Sequence, residues 1–164
     1  TAPAGAYRGP DVAAQRTAME RLAPLIGRWQ GEAEVTRPHA MRVYQTERVE
    51  RDLDGLLLHV RGTGHATAER AGAPVFQAAA VISFNERRGV YEVRSYTNEG
   101  HVTTADGEFL PDGSFRWSFV AGGPVRMRFT IAIEGDAWRE SGEISYDSGT
   151  TWARTIDLAL TRVP

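Results

Sequence analysis

Residues 114–145 read SFRWSFVAGGPVRMRFTIAIEGDAWRESGEIS, and this stretch decides the fold. In residues 115–119 and again in residues 125–133, apolar side chains alternate with polar or small ones, which is the period of a strand with one buried face. Turn-forming residues separate the runs, at 122–124 and at 135–136. Short alternating strands joined by tight turns predict an antiparallel meander.

The same pattern extends outward in both directions. The predicted strands cover residues 29–35, 43–51, 56–62, 74–84, 90–97, 101–109, 114–120, 125–134, 137–145 and 151–163. A single open sheet of that size would leave exposed edges and would tend to curl. We therefore predict an all-β, closed antiparallel up-and-down barrel of about ten strands, with a two-sheet sandwich as the alternative. A barrel this wide is expected to enclose a cavity.

One helix precedes the strands, over residues 11–23, with Asp11 as its cap and Pro24 and Gly27 ending it. Residues 1–10 are small and turn-forming, which is typical of a flexible lead-in. Residues 11–163 then form a single barrel domain. The lead-in has no apolar h-region, which favours a cytoplasmic protein, or a periplasmic one if a signal peptide was removed before Thr1.

The composition excludes several classes of function. The chain has no cysteine and no lysine, so its 19 basic residues are all arginine, and with 21 acidic residues its net charge is -2. Without cysteine there is no disulfide, thiolate metal site or cysteine nucleophile. The charge balance argues against nucleic acid as a partner, and no apolar run reaches the length of a membrane span. We expect a small-molecule partner and a monomer or homodimer.

Signatures of catalysis are also missing, which argues against an enzyme. The sequence contains no nucleophile elbow, P-loop or dinucleotide fingerprint, so no catalytic residue is assigned. Its histidines are His39, His59, His65 and His101, and none of their spacings is typical of a metal site, so no metal is predicted. His59 and His101 stand at or near strand positions and are candidate ligand contacts.

Two alternating rows supply the expected lining of the barrel. If they face inward, Trp117, Phe119, Met127 and Phe129 form an apolar wall, which serves either as ligand lining or as ordinary core. The arginines between them would then face water.

Residues 91–97 offer a polar candidate. Glu92, Arg94 and Tyr96 share one face of a strand. Facing inward, Arg94 and Tyr96 would hold a carboxylate or phosphate, whereas facing outward they form a solvated surface. An enzymatic alternative uses Glu92, Tyr96 or His101 as acid and base in a barrel isomerase or hydrolase.

Residues 145–152 match the S-x-D-x-G-x-T-W pattern called an Asp-box. We expect Asp147 to accept hydrogen bonds from the turn, Gly149 to adopt positive φ and Trp152 to pack beneath the hairpin. This is a structural motif and does not indicate glycosidase chemistry.

The stretch L-A-P-L-I-G-R-W-Q-G-E at residues 22–32 resembles the calycin superfamily, which includes lipocalins, fatty-acid-binding proteins and nitrobindins. The chain is more similar still to a bacterial calycin-like family of unknown function related to the nitrobindins. Further similar stretches lie at residues 45–47, 80–85, 91–97 and 142–162, so the resemblance runs from about residue 11 to 163.

The resemblance implies a ten-stranded barrel with a helical plug, in which Trp29 closes one end and Arg162 stacks over it. Nitrobindins hold haem through a histidine in the final strand, but residues 151–163 contain none. Haem as a cofactor would therefore need His101 or His59 as its axial ligand. The main hypothesis is non-enzymatic binding of a small hydrophobic, possibly acidic, ligand. A haem-binding, nitric-oxide-sensing barrel and an enzyme are the alternatives.

Overall fold

The computed structural model describes residues 7–164. Its helix α1 spans Val12–Glu20, and ten strands follow. They are β1 Gly27–Val35, β2 Met41–Asp52, β3 Leu57–His65, β4 Phe76–Asn85, β5 Val90–Thr97, β6 Val102–Phe109, β7 Phe115–Gly122, β8 Val125–Glu134, β9 Ala137–Ser145 and β10 Ala153–Val163. Short 3₁₀ turns lie at Ala23–Leu25 and Leu53–Gly55.

The strands form one closed antiparallel barrel, which confirms the predicted fold class. Each strand pairs with its neighbours in sequence, and β1 pairs with both β2 and β10. In the closing register Trp29 lies opposite Arg162 on one side and Glu47 on the other. Closure leaves no strand edge unpaired, so the sandwich alternative is wrong.

The helix and its following turn cover one end of the barrel, here called the helix end. The Tyr91 hydroxyl of β5 donates to the Ala18 carbonyl at 2.7 Å and ties α1 to the barrel. The Trp29 indole N–H donates to the Leu25 carbonyl at 2.8 Å, and the Arg162 guanidinium lies 4.1 Å from the centre of its ring. The predicted stack of Arg162 over Trp29 is thereby confirmed.

Several boundaries differ from the prediction. The helix begins where expected, because the Asp11 carboxylate accepts from the Ala14 amide at 3.0 Å. It ends at Glu20 rather than at residue 23. Pro24 disfavours helical backbone in the residue before it, and a 3₁₀ turn at Ala23–Leu25 replaces the last turn of the predicted helix. Residues 1–6 of the predicted lead-in lie outside the described residues.

Candidate functional site

The interior changes character along the barrel axis. Near the helix end the inward side chains are buried; Trp29 and Trp138, for example, are 1% and 2% exposed. Near the opposite end, here called the far end, the inward side chains of Val35, Phe76 and Ile144 stay partly exposed. The interior is therefore a packed core near the helix end, while towards the far end buried side chains such as Ala33 and Val43 lie beside partly exposed ones.

Aromatic side chains of β7 and β8 line the interior towards the far end. The Trp117 and Phe129 rings stack with centroids 4.4 Å apart, and the Phe119 ring lies 6.0 Å from Trp117. Met127 is opposite Phe119 in the register. The inward orientation expected for these four residues, the apolar wall, agrees with the structure. All four remain partly exposed.

Two carboxyl groups also face inward, although the sequence analysis did not single them out. Glu47 of β2 lies between Trp29 and Gly62 in the register, and Glu140 of β9 lies between Ile131 and Leu158. We call Glu47 and Glu140 the carboxyl pair. Strand parity was the available signal, because Glu140 follows Trp138 by two residues and therefore shares its face.

Each member of the carboxyl pair has a hydrogen-bond donor from the residue two positions before it. The Gln45 amide donates to Glu47 Oε1 at 2.7 Å, and the Trp138 indole N–H donates to Glu140 Oε2 at 3.1 Å. The Trp138 ring meets Trp29 edge-on at 5.4 Å. The carboxyl pair therefore lies next to the two tryptophans that cap the packed core.

The electrostatics of the carboxyl pair favour its protonated forms. Burial raises the pKa of Glu47 to about 8; the Gln45 hydrogen bond opposes this rise and the charge of Glu140 adds to it. Burial also raises the pKa of Glu140 to about 7, against the opposing hydrogen bond from Trp138. Carboxyls poised near neutral pH inside an apolar shell are characteristic of functional sites.

Glycines on β3 make room for Glu47 and its partner. A Cβ atom at Gly62 would lie 2.6 Å from Glu47 Oε1 and 3.0 Å from the Gln45 amide nitrogen. A Cβ at Gly64 would lie 2.9 Å from Gln45 Oε1. A larger residue at either position would displace these polar groups, so the backbone of β3 forms part of the site.

A further polar atom of the interior lacks a partner. The Thr155 hydroxyl, at a β-bulge in β10, is buried and makes no hydrogen bond. It lies 2.9 Å from the point where a Cβ of Gly142 would be, beside Phe129 and Ile156. Because Gly142 and Glu140 share the inward face of β9, this hydroxyl faces the same interior as the carboxyl pair.

Of the two orientations considered for Arg94 and Tyr96, the structure shows the outward one. Tyr91 and Val93 are the inward residues of β5, at 4% and 3% exposure, while Tyr96 is 52% exposed. The Arg94 guanidinium lies 3.8 Å from the Glu92 carboxylate on the outer face. The apolar residues Tyr91 and Val93 occupy the inward positions of the strand, so the candidate anion-binding residues do not face the interior.

The histidine candidates also lie outside the barrel. His59 is on the outer face of β3, with its Nε2 2.9 Å from an Asp52 carboxylate oxygen. His101 precedes β6 instead of opening it, and its side chain is 73% exposed. Neither faces an interior haem. The Asn85 amide donates to the Glu92 carboxylate at 2.9 Å on the outer face, so the proposed acid–base group of Glu92, Tyr96 and His101 shares no enclosed site.

The Asp-box forms the expected turn. The Asp147 carboxylate accepts from the Thr151 amide at 2.8 Å and from the Ser145 hydroxyl at 2.7 Å. Gly149 has a φ of 93°, and the Trp152 indole donates to its carbonyl at 3.1 Å. The hydroxyl and amide of Thr151, followed by Ser145, lower the pKa of Asp147 to about 2. The motif fixes the loop between β9 and β10.

The outer surface has two notable features. A shallow groove of about 500 Å³ crosses β8, β9, β10 and β1, and charged residues such as Glu34, Arg139 and Arg154 line it. Exposed large hydrophobic side chains lie at the far end: Met41, Val75, Tyr96, Val102, Val120 and Tyr146. The apolar character of the interior thus continues onto the rim.

No family model and no curated protein matches the chain. Within residues 7–164, no cluster of three or more histidine, aspartate or glutamate side chains is arranged to hold a metal ion. Among the helices of these residues, none has the length and apolar character needed to cross a membrane.

Proposed function

We propose that the barrel binds a small hydrophobic molecule in the half of its interior nearest the far end. The observation that carries this proposal is the apolar wall, whose aromatic rings face inward and yet remain partly exposed. Aromatic side chains that face inward without being buried expose apolar surface that a ligand would cover, and concave apolar surfaces of this kind are the usual form of a small-molecule site.

The closed helix end of the barrel also supports the proposal. The stack of Trp29 and Arg162, together with the turn Ala23–Leu25, seals that end, so a ligand would enter at the far end. The apolar rim there would offer a first contact for a hydrophobic molecule. We also propose that the chain is a calycin-like barrel. Support comes from the order of its helix and ten antiparallel strands and from its Trp–Arg stack.

The proposed function is tested with N-phenyl-1-naphthylamine, an uncharged dye that fluoresces in apolar surroundings. We expect saturable fluorescence with one dye per protein. Ala78→Phe places a ring inside the barrel and should weaken binding at least about tenfold. Ala79→Phe places the same ring on the outer face and should leave binding unchanged.

Two results would overturn the proposal: no saturable fluorescence, or equal binding by the two variants. Circular dichroism of both variants controls for folding. Native mass spectrometry of the purified protein provides a second readout, since a retained small molecule would appear as a mass increment.

A further inference from the structure

The carboxyl pair has no cationic partner within the barrel. Neither Glu47 nor Glu140 forms an ion pair among residues 7–164. Two arginines also occupy inward strand positions, but both are engaged at the helix end: Arg51 donates to the Glu20 carboxylate of α1, and Arg162 bonds Asp136 and the Pro24 carbonyl. Two half-buried acids that face the interior without a counter-charge are destabilising, and apolar residues of similar size would serve the fold better. Their placement is explained if a bound molecule supplies the missing charge.

The surroundings identify the chemistry of that molecule. Its polar group would meet the carboxyl pair, the Gln45 side chain and the unpartnered Thr155 hydroxyl. These groups offer no positive charge that would balance an anionic head group. An ammonium carries only donors, which suit carboxylates and a hydroxyl oxygen.

A metal ion fits this arrangement less well. Hard cations such as calcium take six or more oxygen ligands, and magnesium takes six. The interior provides two carboxyls and a few neutral oxygens, and no cluster of three acidic or histidine ligands occurs in the part of the chain described. The adjoining apolar wall would also leave much of a bare ion without ligands.

We propose that the carboxyl pair binds the ammonium group of a hydrophobic amine, while the apolar wall binds its apolar body. This inference rests on the proposed function and replaces the acidic head group expected from the sequence with a basic one. Glu47 on β2 and Glu140 on β9 are separated in the barrel by β1 and β10, so a ligand nitrogen between their side chains would gain a charged acceptor on each side. Gly62 keeps the space beside Glu47 free, and Gly142 keeps that beside the Thr155 hydroxyl free.

Proton release is a distinctive consequence. At pH 7 the carboxyl pair holds protons, because burial raises the pKa of Glu47 to about 8 and that of Glu140 to about 7. An incoming ammonium favours the ionised carboxyls, which pass their protons to the buffer. Binding of the amine should therefore release about one proton per protein, whereas an uncharged ligand should release none.

The experiment compares three ligands that share a naphthalene body: 1-naphthylmethylamine, 1-naphthylmethanol and 1-naphthoate. Isothermal titration calorimetry is carried out in two buffers of different ionisation enthalpy. We expect the unsubstituted protein to bind the amine at least about tenfold more tightly than the alcohol, and to bind the naphthoate most weakly.

The variant Glu47→Gln/Glu140→Gln should lose the preference for the amine and the proton release, and it should still bind N-phenyl-1-naphthylamine. The control variant Glu50→Gln/Glu134→Gln removes two exposed outer charges and should keep both properties. Dye binding by the first variant shows that its barrel is folded.

The outcomes separate the two proposals. If neither the dye nor any naphthalene ligand binds, the proposed function is wrong. If all three ligands bind equally, or the alcohol or naphthoate binds best, the barrel binds apolar molecules and the amine site is wrong. The amine site is also wrong if the control variant loses the preference as the carboxyl variant does, since general surface charge would then explain it.

Discussion

Replacing Glu47 by glutamine should stabilise the protein at neutral and alkaline pH. The carboxyl has a pKa of about 8 in the folded protein and an ordinary value of 4.5. A group whose pKa is higher in the folded state binds more protons when folded. Its favourable contribution is therefore fully present below pH 4.5 and is lost as the pH rises through 8.

The magnitude follows from this difference in pKa. At about 1.4 kcal/mol per pKa unit, complete burial would correspond to a loss of about 5 kcal/mol between the two pH limits. Because Glu47 is half-buried, and solvent in the interior screens its charge, we expect about 2–3 kcal/mol. Glutamine has nearly the same shape and can still accept the hydrogen bond from Gln45, so the variant should lose mainly the titration.

Urea unfolding followed by tryptophan fluorescence, at intervals from about pH 5 to about pH 9, measures this effect. The free energy of unfolding of the unsubstituted protein should fall across that range, and that of the Glu47→Gln variant should fall less steeply. Glu50→Gln, on the outer face of the same strand, is the control and should follow the unsubstituted protein. A flat profile for the unsubstituted protein, or an equally steep one for Glu47→Gln, would refute the reasoning.

Three further substitutions test other parts of the structure. Arg162→Ala removes the stack and its hydrogen bonds and should lower the free energy of unfolding by about 2–4 kcal/mol, whereas the exposed Arg28→Ala should change it by less than about 0.5. Gly62→Ala places a methyl group against the Glu47 carboxyl and should lower the free energy of unfolding by about 1–3 kcal/mol. If adding Glu47→Ala to this variant recovers none of the loss, the crowding argument is wrong. Asp147→Asn should remove the part of the fall in the free energy of unfolding that occurs as the pH drops from 3.8 towards 2. If urea unfolding shows the same pH dependence in the variant, the role of the hydrogen bonds to Asp147 is contradicted.

Strand alternation was sufficient to predict the barrel but not every orientation within it. In β7 and β8 the aromatic residues occupy one parity only, so Trp117 and Phe129 could be assigned to the interior. In β5 both parities carry an aromatic residue, Tyr91 and Tyr96, and the choice depends on contacts with α1 and the neighbouring strands. Those contacts join residues far apart in sequence, which a local pattern does not contain.

The carboxyl pair shows a second reason why sequence reasoning falls short. Glutamate is almost always exposed, so the polar run that contains Glu47 predicts a solvated strand. The burial of Glu47 follows from its register opposite Trp29, and the space for it comes from Gly62 on the next strand. Strand parity alone would place Glu140 on the same face as Trp138, but the usual preference of a charged residue for water argues against the interior.

The most direct test of ligand binding inside the barrel is the ¹⁵N–¹H spectrum of the tryptophan indoles during titration with N-phenyl-1-naphthylamine. The indole of Trp117 belongs to the apolar wall, and that of Trp138 donates to Glu140, so both signals should shift saturably. The indole of Trp152 lies under Arg128 in the outer loop and should not move. A shift of Trp152 alone, or no shift of Trp117 at saturating dye, would contradict binding in the barrel interior.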